Sequence, residues 1–359
     1  MKTLSSNRPA RVGLIGFGYV GKTFHMPLLM GSEGYEIRVV ASGRPEAVKV
    51  SLPEVRVVAE AGEAVTHPDV DLVVIATPNE THAPLAEAAL AAGKHVVVDK
   101  PFTVTLAEAR HLVELATASD GLLSVFQNRR WDSDFLTVKA AMESGSLGHV
   151  ALYESRIERY RPAVRDRWRE DGRPGSGLLY DLGPHLIDQA LTLFGLPDDL
   201  EATVLAQRPG ARSDDFFRLT LRYGARLAVL QASVLVAGGG RRFAIHGDRA
   251  SLVKAEPDIQ EDQLKSGMMP GTKGWGEDSD DAWLHVGETG EARRVKTTPG
   301  DQRGYYAALL KALRGEASNP VPPEQASAVM ALIEAALRSQ DEGRRIVPEL
   351  TVAERAAWK

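Results

Sequence analysis

The run Arg-Val-Gly-Leu-Ile-Gly-Phe-Gly-Tyr-Val-Gly over residues 11–21 limits the fold of this chain more than any other stretch. Val12, Leu14 and Ile15 supply a short apolar strand, and Gly16, Gly18 and Gly21 follow at G-x-G-x-x-G spacing. A strand that turns at once into a helix needs glycine three times over. One permits the tight turn, one lets the backbone approach a pyrophosphate, and one lets the helix pack closely on the strand. The helix then offers unpaired N–H groups and the positive end of its dipole to the phosphates. Glycine is frequent here (33 of 359 residues), so the weight lies in the motif's position directly after a β-branched run. Gly16, Phe17, Gly18, Tyr19, Val20 and Gly21 are therefore the expected dinucleotide loop.

The chain continues as alternating helices and strands. A first helix is predicted over 22–31, with Pro27 bending it or ending its first part. The second strand spans 35–40. A site for NAD carries an acid at the end of that strand to hold the ribose hydroxyls. Here Ala41-Ser42-Gly43-Arg44 stands instead. No acid is present to repel a 2′-phosphate, and the Ser42 hydroxyl and Arg44 guanidinium are available to bind one, so NADP is expected ahead of NAD. Strands follow over 55–58 and 71–76. The turn after the fourth strand holds Thr77, Pro78 and Asn79, with His82 three residues on. Ligands bind at the carboxyl ends of parallel strands, which makes these four candidate cofactor contacts. A helix over 83–92 stops at Gly93, a fifth strand over 95–99 is closed by Lys100-Pro101, and a helix over 106–117 leads to a sixth strand over 122–126. Helix-length segments between strands predict a doubly wound parallel sheet.

The polar stretch from Gln127 marks a domain boundary, giving a dinucleotide-binding domain over 1–127 and a substrate-binding and oligomerisation domain over 128–359. After an amphipathic helix over 135–144 come strands at 150–159, 200–207, 216–223, 226–236 and 241–246. Most lack intervening helices and should pair antiparallel in an open sheet. The segment 258–281, rich in Gly, Asp and Lys, reads as a long loop, and helices at 302–314 and 323–342 close the chain. One helix interrupts the strands. Asp181 is placed to cap its first turn, and Pro184 is tolerated there only. Asp181, His185 and Asp188 then fall on one face, either as a capping acid with an ordinary His–acid neighbour or as an acid that tunes a His for proton transfer. The apolar strand over 227–236 needs cover on both faces, and the few helices suffice for one, so a second copy is expected on the other.

Several classes are excluded. A net charge of −5 offers no attraction to nucleic acid or anionic membranes. With no cysteine, disulfides, thiolate catalysis and Cys-ligated metals go together. The histidines form no H-E-x-x-H, so no metal site is expected. The polar N-terminal stretch has no apolar leader core and no run approaches a membrane span, which predicts a soluble cytoplasmic protein.

Four motifs now stand in one order: G-F-G-Y-V-G, A-T-P-N-E-T-H, V-D-K-P and D-L-G-P-H-L-I-D. Together they resemble the Gfo/Idh/MocA family of sugar and inositol oxidoreductases over nearly the whole chain. The family's usual E-K-P appears here as Asp99-Lys100-Pro101, one methylene shorter in the acid. A narrower resemblance, to the NADP-dependent scyllo-inositol dehydrogenases, rests on residues 123–132, Arg159-Tyr-Arg-Pro162, Arg167-Trp-Arg-Glu170 and Leu179-Tyr-Asp-Leu-Gly183. The resemblance implies that Lys100 contacts both the nicotinamide ribose and the reacting hydroxyl. It also implies that His185 takes the hydroxyl proton and that Asp181 holds and polarises the reacting site, the share between Lys100 and His185 differing among relatives. Asn128, Arg129, Tyr160 and Trp168 become candidates for the polyol pocket, Asn128 also for cofactor contact. The family pairs as homodimers or homotetramers through the C-terminal sheet. An NADP-dependent inositol dehydrogenase is the leading expectation. An aldose or sugar-lactone dehydrogenase is the alternative within the family, and a non-catalytic dinucleotide-binding sensor lies outside enzymes. Lys100, Asp181 and His185 together argue against the sensor, which needs no proton-transfer set.

Overall fold

Six apolar runs at the start of the chain pair side by side as parallel strands, because each is returned to the same end of the sheet by an intervening helix. In the computed structural model, which describes residues 3–5 and 8–359, these are β1 (Ala10–Ile15), β2 (Tyr35–Ala41), β3 (Arg56–Val58), β4 (Leu72–Ile75), β5 (His95–Val98) and β6 (Leu123–Val125). Positions 1, 2, 6 and 7 of the polar N-terminal stretch lie outside the described residues. The connecting helices are α1 (Met26–Met30), α2 (Pro45–Ser51), α3 (Ala61–Thr66), α4 (His82–Ala91) and α5 (Leu106–Ala118). The strand order is β3-β2-β1-β4-β5-β6, every pair parallel, and it reverses direction between β1 and β4. All four residues of both β4 and β5 are buried, as a strand covered on two faces requires. Near Pro27 the helix is not a simple bend. A wide π-helical turn over Gly21–His25 precedes α1, with Pro27 in the first turn of the latter, where its missing N–H does no harm.

The chain then runs through α6 (Ser133–Glu143), β7 (Val150–Glu158), α7 (Leu178–Phe194), β8 (Asp199–Leu205), β9 (Phe216–Tyr223), β10 (Arg226–Ser233), β11 (Phe243–Gly247) and β12 (Ala250–Lys254). It ends with α8 (Gln260–Lys265), β13 (Ala282–Val286), β14 (Ala292–Val295), α9 (Arg303–Leu313), α10 (Pro323–Glu342) and α11 (Val352–Ala356). The eight-stranded sheet is ordered β14-β13-β12-β11-β7-β10-β9-β8. Its neighbours are antiparallel, as expected, with one exception. β7 and β10 run parallel, since α7 and the β8–β9 hairpin lie between them and return the chain in the same sense. Two compact units result. One comprises the residues up to Trp131 with Gln260–Trp275 and Asp301–Ser327, and the other Asp132–Ile259 with Gly276–Gly300 and Ala328–Lys359. The segment 258–281 is therefore not simply a loop, because it carries α8. Six residues are too few to show a helical period in sequence.

α7 supplies the core of the second unit. Leu182, Leu186, Ile187, Ala190 and Leu191 are buried, and the helix packs on β7, β9 and β10. Burying side chains of this size stabilises by about 1.5–3 kcal/mol each. A buried ion pair sits against this apolar layer. The buried Arg242 donates to Asp134 at 2.7 Å, to Ser155 Oγ at 2.6 Å and to Gln189 Oε1 at 2.9 Å, joining α6, β7 and α7. Among the described residues no helix is long and apolar enough to cross a membrane.

Candidate active site

The glycine loop has two closed positions and one open one. Gly16 has φ +95°, and a Cβ there would fall 2.4 Å from Ala76 O. At Gly21 a Cβ would fall 2.1 Å from Gly16 O. At Gly18 it would meet nothing within 4 Å. Gly16 and Gly21 are thus demanded by the protein's own backbone, whereas Gly18 faces space that a pyrophosphate fits. At the end of β2, Arg44 N donates to Ser42 Oγ at 3.1 Å, and the Arg44 guanidinium donates to Phe17 O at 3.2 Å. Ser42 and Arg44 therefore lie against the glycine loop.

The turn after β4 is fastened to the turn after β5. Thr81 Oγ1 donates to Thr77 Oγ1 at 2.6 Å and to Pro78 O at 2.7 Å, and Asn79 is buried. His82 is fully buried, with Nδ1 2.8 Å from Pro101 O and Nε2 3.0 Å from Thr77 O. Both ring nitrogens face main-chain carbonyls, so this imidazole spans the two turns and offers neither nitrogen outward; when neutral it donates to one of the two carbonyls only. Lys100 lies in the second of these turns, joined to Pro101 by a cis peptide. Behind it Asp99 is buried, 3.7 Å from His25 Nε2, and His25 Nδ1 is 2.6 Å from the Tyr306 hydroxyl. Burial opposes the charge on Asp99, yet His25, Lys100 and His82 hold its carboxyl net below the ordinary range. Burial pushes the His82 imidazole below its ordinary value, with Asp99 pulling the other way. The acid of the D-K-P turn is thus a fixed anion beside Lys100.

Asn128, which is buried, and Arg129 occupy a short 3₁₀ turn after β6 (Asn128–Trp131). Arg129 lies 3.4 Å from Glu261 of α8, the Tyr19 hydroxyl donates to Glu261 at 2.7 Å, and Lys265 lies 3.0 Å away. Burial opposes the Glu261 charge, but Arg129, Tyr19 and Lys265 bring its pKa down to about 2, while burial and Glu261 push Tyr19 up to about 12. No motif marks Glu261. Its i, i+4 spacing to Lys265 reads as any solvated helix pair.

In the second unit α7 starts earlier than its sequence suggests. Its N-cap is Gly177, which puts Asp181 inside the first turn rather than at the cap and Pro184 within the helix body. The cap is supplied from elsewhere. Leu179 N donates to the Asp214 carboxylate at 2.7 Å and Leu178 N to Asp214 O at 2.9 Å. A Cβ on Gly177 would fall 1.9 Å from Asp214 Oδ1, so glycine is required there. Asp181, His185 and Asp188 share a face, and the last two are buried. Arg169 Nε is 3.6 Å from Asp181, and its guanidinium lies 4.3 Å over the Trp168 ring, which brings Trp168 and Asp181 together. Tyr160 is placed differently: it bridges to Leu235 and is 61% exposed. The loop behind Trp168 is held by Glu170, which accepts from Arg167 at 2.6 Å and from Arg208 at 2.8 Å, Arg208 also pairing with Asp215 at 2.9 Å. Asp214 and Arg208 are contributed from far along the chain, and sequence spacing gives no sign of them.

A parallel sheet with an open phosphate cradle at its point of reversal, and a lysine at the end of the next strand but one, defines a dinucleotide-binding dehydrogenase. The chain belongs to the Gfo/Idh/MocA oxidoreductase family. Residues 10–127 match its NAD-binding Rossmann fold, and residues 139–348 match its C-terminal alpha/beta domain. Its cofactor is accordingly a nicotinamide dinucleotide. An uncharacterised Escherichia coli oxidoreductase, YdgJ, is 51% identical over 331 residues, 92% of this chain and 96% of that one. The Bacillus subtilis scyllo-inositol 2-dehydrogenase (NADP(+)) IolW is 40% identical over 343 residues, 94% of this chain and 96% of that one. A crystal structure from Klebsiella pneumoniae, assigned as an oxidoreductase, superposes with a TM-score of 0.92 at 50% identity and covers 97% of this chain and 98% of that one.

The cap of α7 carries a pH signature. Burial, with Asp215 adding to it, pushes the Asp214 carboxyl up to about 6 against the pull of its backbone N–H donors. A carboxyl raised on folding contributes fully below its unfolded pKa, and that contribution is lost as pH rises through the folded value. The Asp214→Asn variant should therefore gain stability relative to the unaltered protein between pH 4 and 7, by roughly 1–3 kcal/mol. Urea denaturation at both pH values measures the difference, and an equal offset at each would contradict it.

Proposed function

We propose that this protein moves a hydride between NADP and a ring hydroxyl or ketone of an inositol of the scyllo type or a related sugar, working in the cytoplasm. The observation that carries the NADP part is the placement of Arg44 and Ser42 against the glycine loop, where no carboxylate stands. The similarity to IolW supports both the cofactor and the cyclic polyol. When bound, the nicotinamide supplies the hydride acceptor or donor. The chain's own residues handle the proton and the charge. His185 takes the hydroxyl proton, the general-base role that histidine most often fills. Lys100 stabilises the alkoxide that develops, and Asp181 orients and polarises the hydroxyl. Asn128, Arg129, Tyr160 and Trp168 line the polyol site in this reading, and Thr77, Pro78, Asn79 and Asn128 bound the cofactor. An aldose or sugar-lactone dehydrogenase uses the same residues and is distinguished by substrate alone. A sensor would have no use for Lys100, Asp181 and His185 together.

The outer face of the eight-stranded sheet supports assembly with a second copy. α7 covers the inner face, while Leu205 of β8, Leu227 of β10 and Trp283 of β13 remain 39%, 38% and 41% exposed. We assign this face to a homodimer or homotetramer contact.

Three measurements test these readings. Assayed with both cofactors over a panel of inositols and hexoses, the protein should favour NADP. Arg44→Ala should raise the NADP Michaelis constant by the equivalent of ~1.5–3 kcal/mol, and equal efficiency with NAD in the unaltered protein removes the basis for this. Lys100→Ala and His185→Ala should each lower kcat by roughly 10²- to 10⁴-fold, with Asp181→Asn less affected and NADPH binding retained in fluorescence titration. Near-normal turnover of the His185 variant would move the proton role to Lys100. Light scattering at micromolar concentration should show two or four copies, and a monomer would count against the sheet contact.

A further inference from the structure

The loop that carries Trp168 is unusually cationic, and its charges are unevenly spent. Arg159 and Arg161 lie two apart on extended backbone, held by Arg159 N to Ser233 O at 2.9 Å and Arg161 N to Val234 O at 2.6 Å. Alternate residues of an extended chain share a face, so both arginines lie opposite the exposed Tyr160. Arg161 is the hub. Burial and the neighbouring guanidiniums of Arg159, Arg165 and Arg167 hold it below its ordinary pKa, with Asp181 pulling the other way.

The carboxylates nearby are already engaged. Glu170 takes Arg167 and Arg208, Asp215 takes Arg208, and Asp181 lies beside Arg169. Asp171 pairs with Arg173 at 2.6 Å. Asp166 is exposed and forms no ion pair among the described residues. The side chains of Arg159, Arg161 and Arg165 make no hydrogen bond or ion pair among the described residues. They are also not needed to shape the loop. Arg208 donates to Ala163 O at 2.9 Å and to Arg161 O at 3.2 Å, and Glu170 accepts from Arg165 N at 3.1 Å. Gathering like charges that hold nothing together costs stability, and the arrangement makes sense if an anion completes it.

We infer that Arg161, with Arg159 and Arg165, forms a subsite beside Asp181 for a carboxylate or phosphate group of the substrate. The favoured substrate is then an anionic polyol or sugar, a sugar acid or a sugar phosphate, rather than a neutral one. This rests on the dehydrogenase reading given above and narrows its substrate class to the related anionic sugars, setting the neutral scyllo-type inositol aside. Guanidinium suits such a group because its planar fork matches two oxygens at once.

The test uses the full-length protein with NADP and matched pairs of substrates, each neutral sugar or inositol set beside its acid or phosphate. The anionic member should have the higher kcat/KM by at least about tenfold, and its KM should rise with ionic strength. Arg161→Gln should raise the KM of the anionic substrate roughly 10- to 100-fold while kcat is largely kept, and Arg161→Lys should recover part of the loss. Relief of like-charge repulsion should leave the melting temperature of Arg161→Gln unchanged or higher. Inorganic phosphate should compete with substrate in the unaltered protein and far less in the variant. Equal use of neutral and anionic substrates, with KM unmoved by Arg161→Gln, overturns the inference and leaves the dehydrogenase reading intact. A variant that loses NADPH affinity but not substrate affinity assigns the anion to the dinucleotide and also overturns it. Absence of NADP-linked turnover with every substrate overturns both readings.

Discussion

The first unit depends on a side chain that is missing. β1 and β4 are in register up to Ile15 and Ile75, and Ala76 N bonds Ile15 O at 2.8 Å, so the strand ends cannot separate to admit a methyl group at Gly16. Gly16 also holds a left-handed φ that other residues reach only with strain. Once that corner is closed, Gly21 must be bare in its turn, because the carbonyl of Gly16 points at it. The same sheet sets the next turns. The parallel pairing of β5 with β4 brings the turns after them alongside each other, with His82 between Thr77 O and Pro101 O. The position of Lys100 is thus set by backbone packing well before any cofactor is considered.

Carboxylates that lose their hydration meet opposite fates in this protein, and the number of cations facing each one decides. Asp99 loses its hydration but faces His25, His82 and Lys100, and its charge is favoured on balance. Glu170 follows the same rule with Arg167 and Arg208. Asp214 loses hydration as well, yet only backbone N–H groups oppose the loss, and Asp215 adds repulsion. Desolvation wins there, and the cap of α7 is held by a carboxyl that keeps its proton to a higher pH than an ordinary one. A full cation beside Asp214 would fix its charge, but it would also add a positive field at the positive end of the helix.

What could be read from the sequence divides along physical lines. The six parallel strands and α10 were legible because their signals are local: continuous β-branched runs, or a period of 3.6 kept over many turns. The glycine loop and the D-K-P turn were legible for the same reason, as each packs its chemistry into a few consecutive residues. β12, β13 and β14 are short and half-exposed, and α2, α3 and α8 span two turns or less, so neither period can establish itself. The start of α7 was misplaced because its cap comes from Asp214, more than thirty residues downstream, while Asp181 imitates a cap in sequence. Glu261 belongs with Tyr19 and Arg129 by tertiary packing alone. Residues that act through other residues leave no spacing to find.

Net charge illustrates the same limit at the scale of the whole chain. A balance of −5 argues against partners that sense the protein's overall field, such as nucleic acid or an anionic membrane. It says nothing about a small anion, which responds to charge within about one Debye length, roughly 8–10 Å in ordinary salt. In the loop that meets Asp181 through Arg169 the balance is reversed. Arginines at 159, 161, 165, 167 and 169 alternate through one loop, and the acids that face them are largely engaged. The excess is tolerated because Arg208 and Glu170 support the loop from within, so its fold does not depend on neutralising the remaining guanidiniums. A chain can therefore be acidic overall and still hold an anion-selecting corner, provided the scaffold that carries the corner is stabilised by other charges.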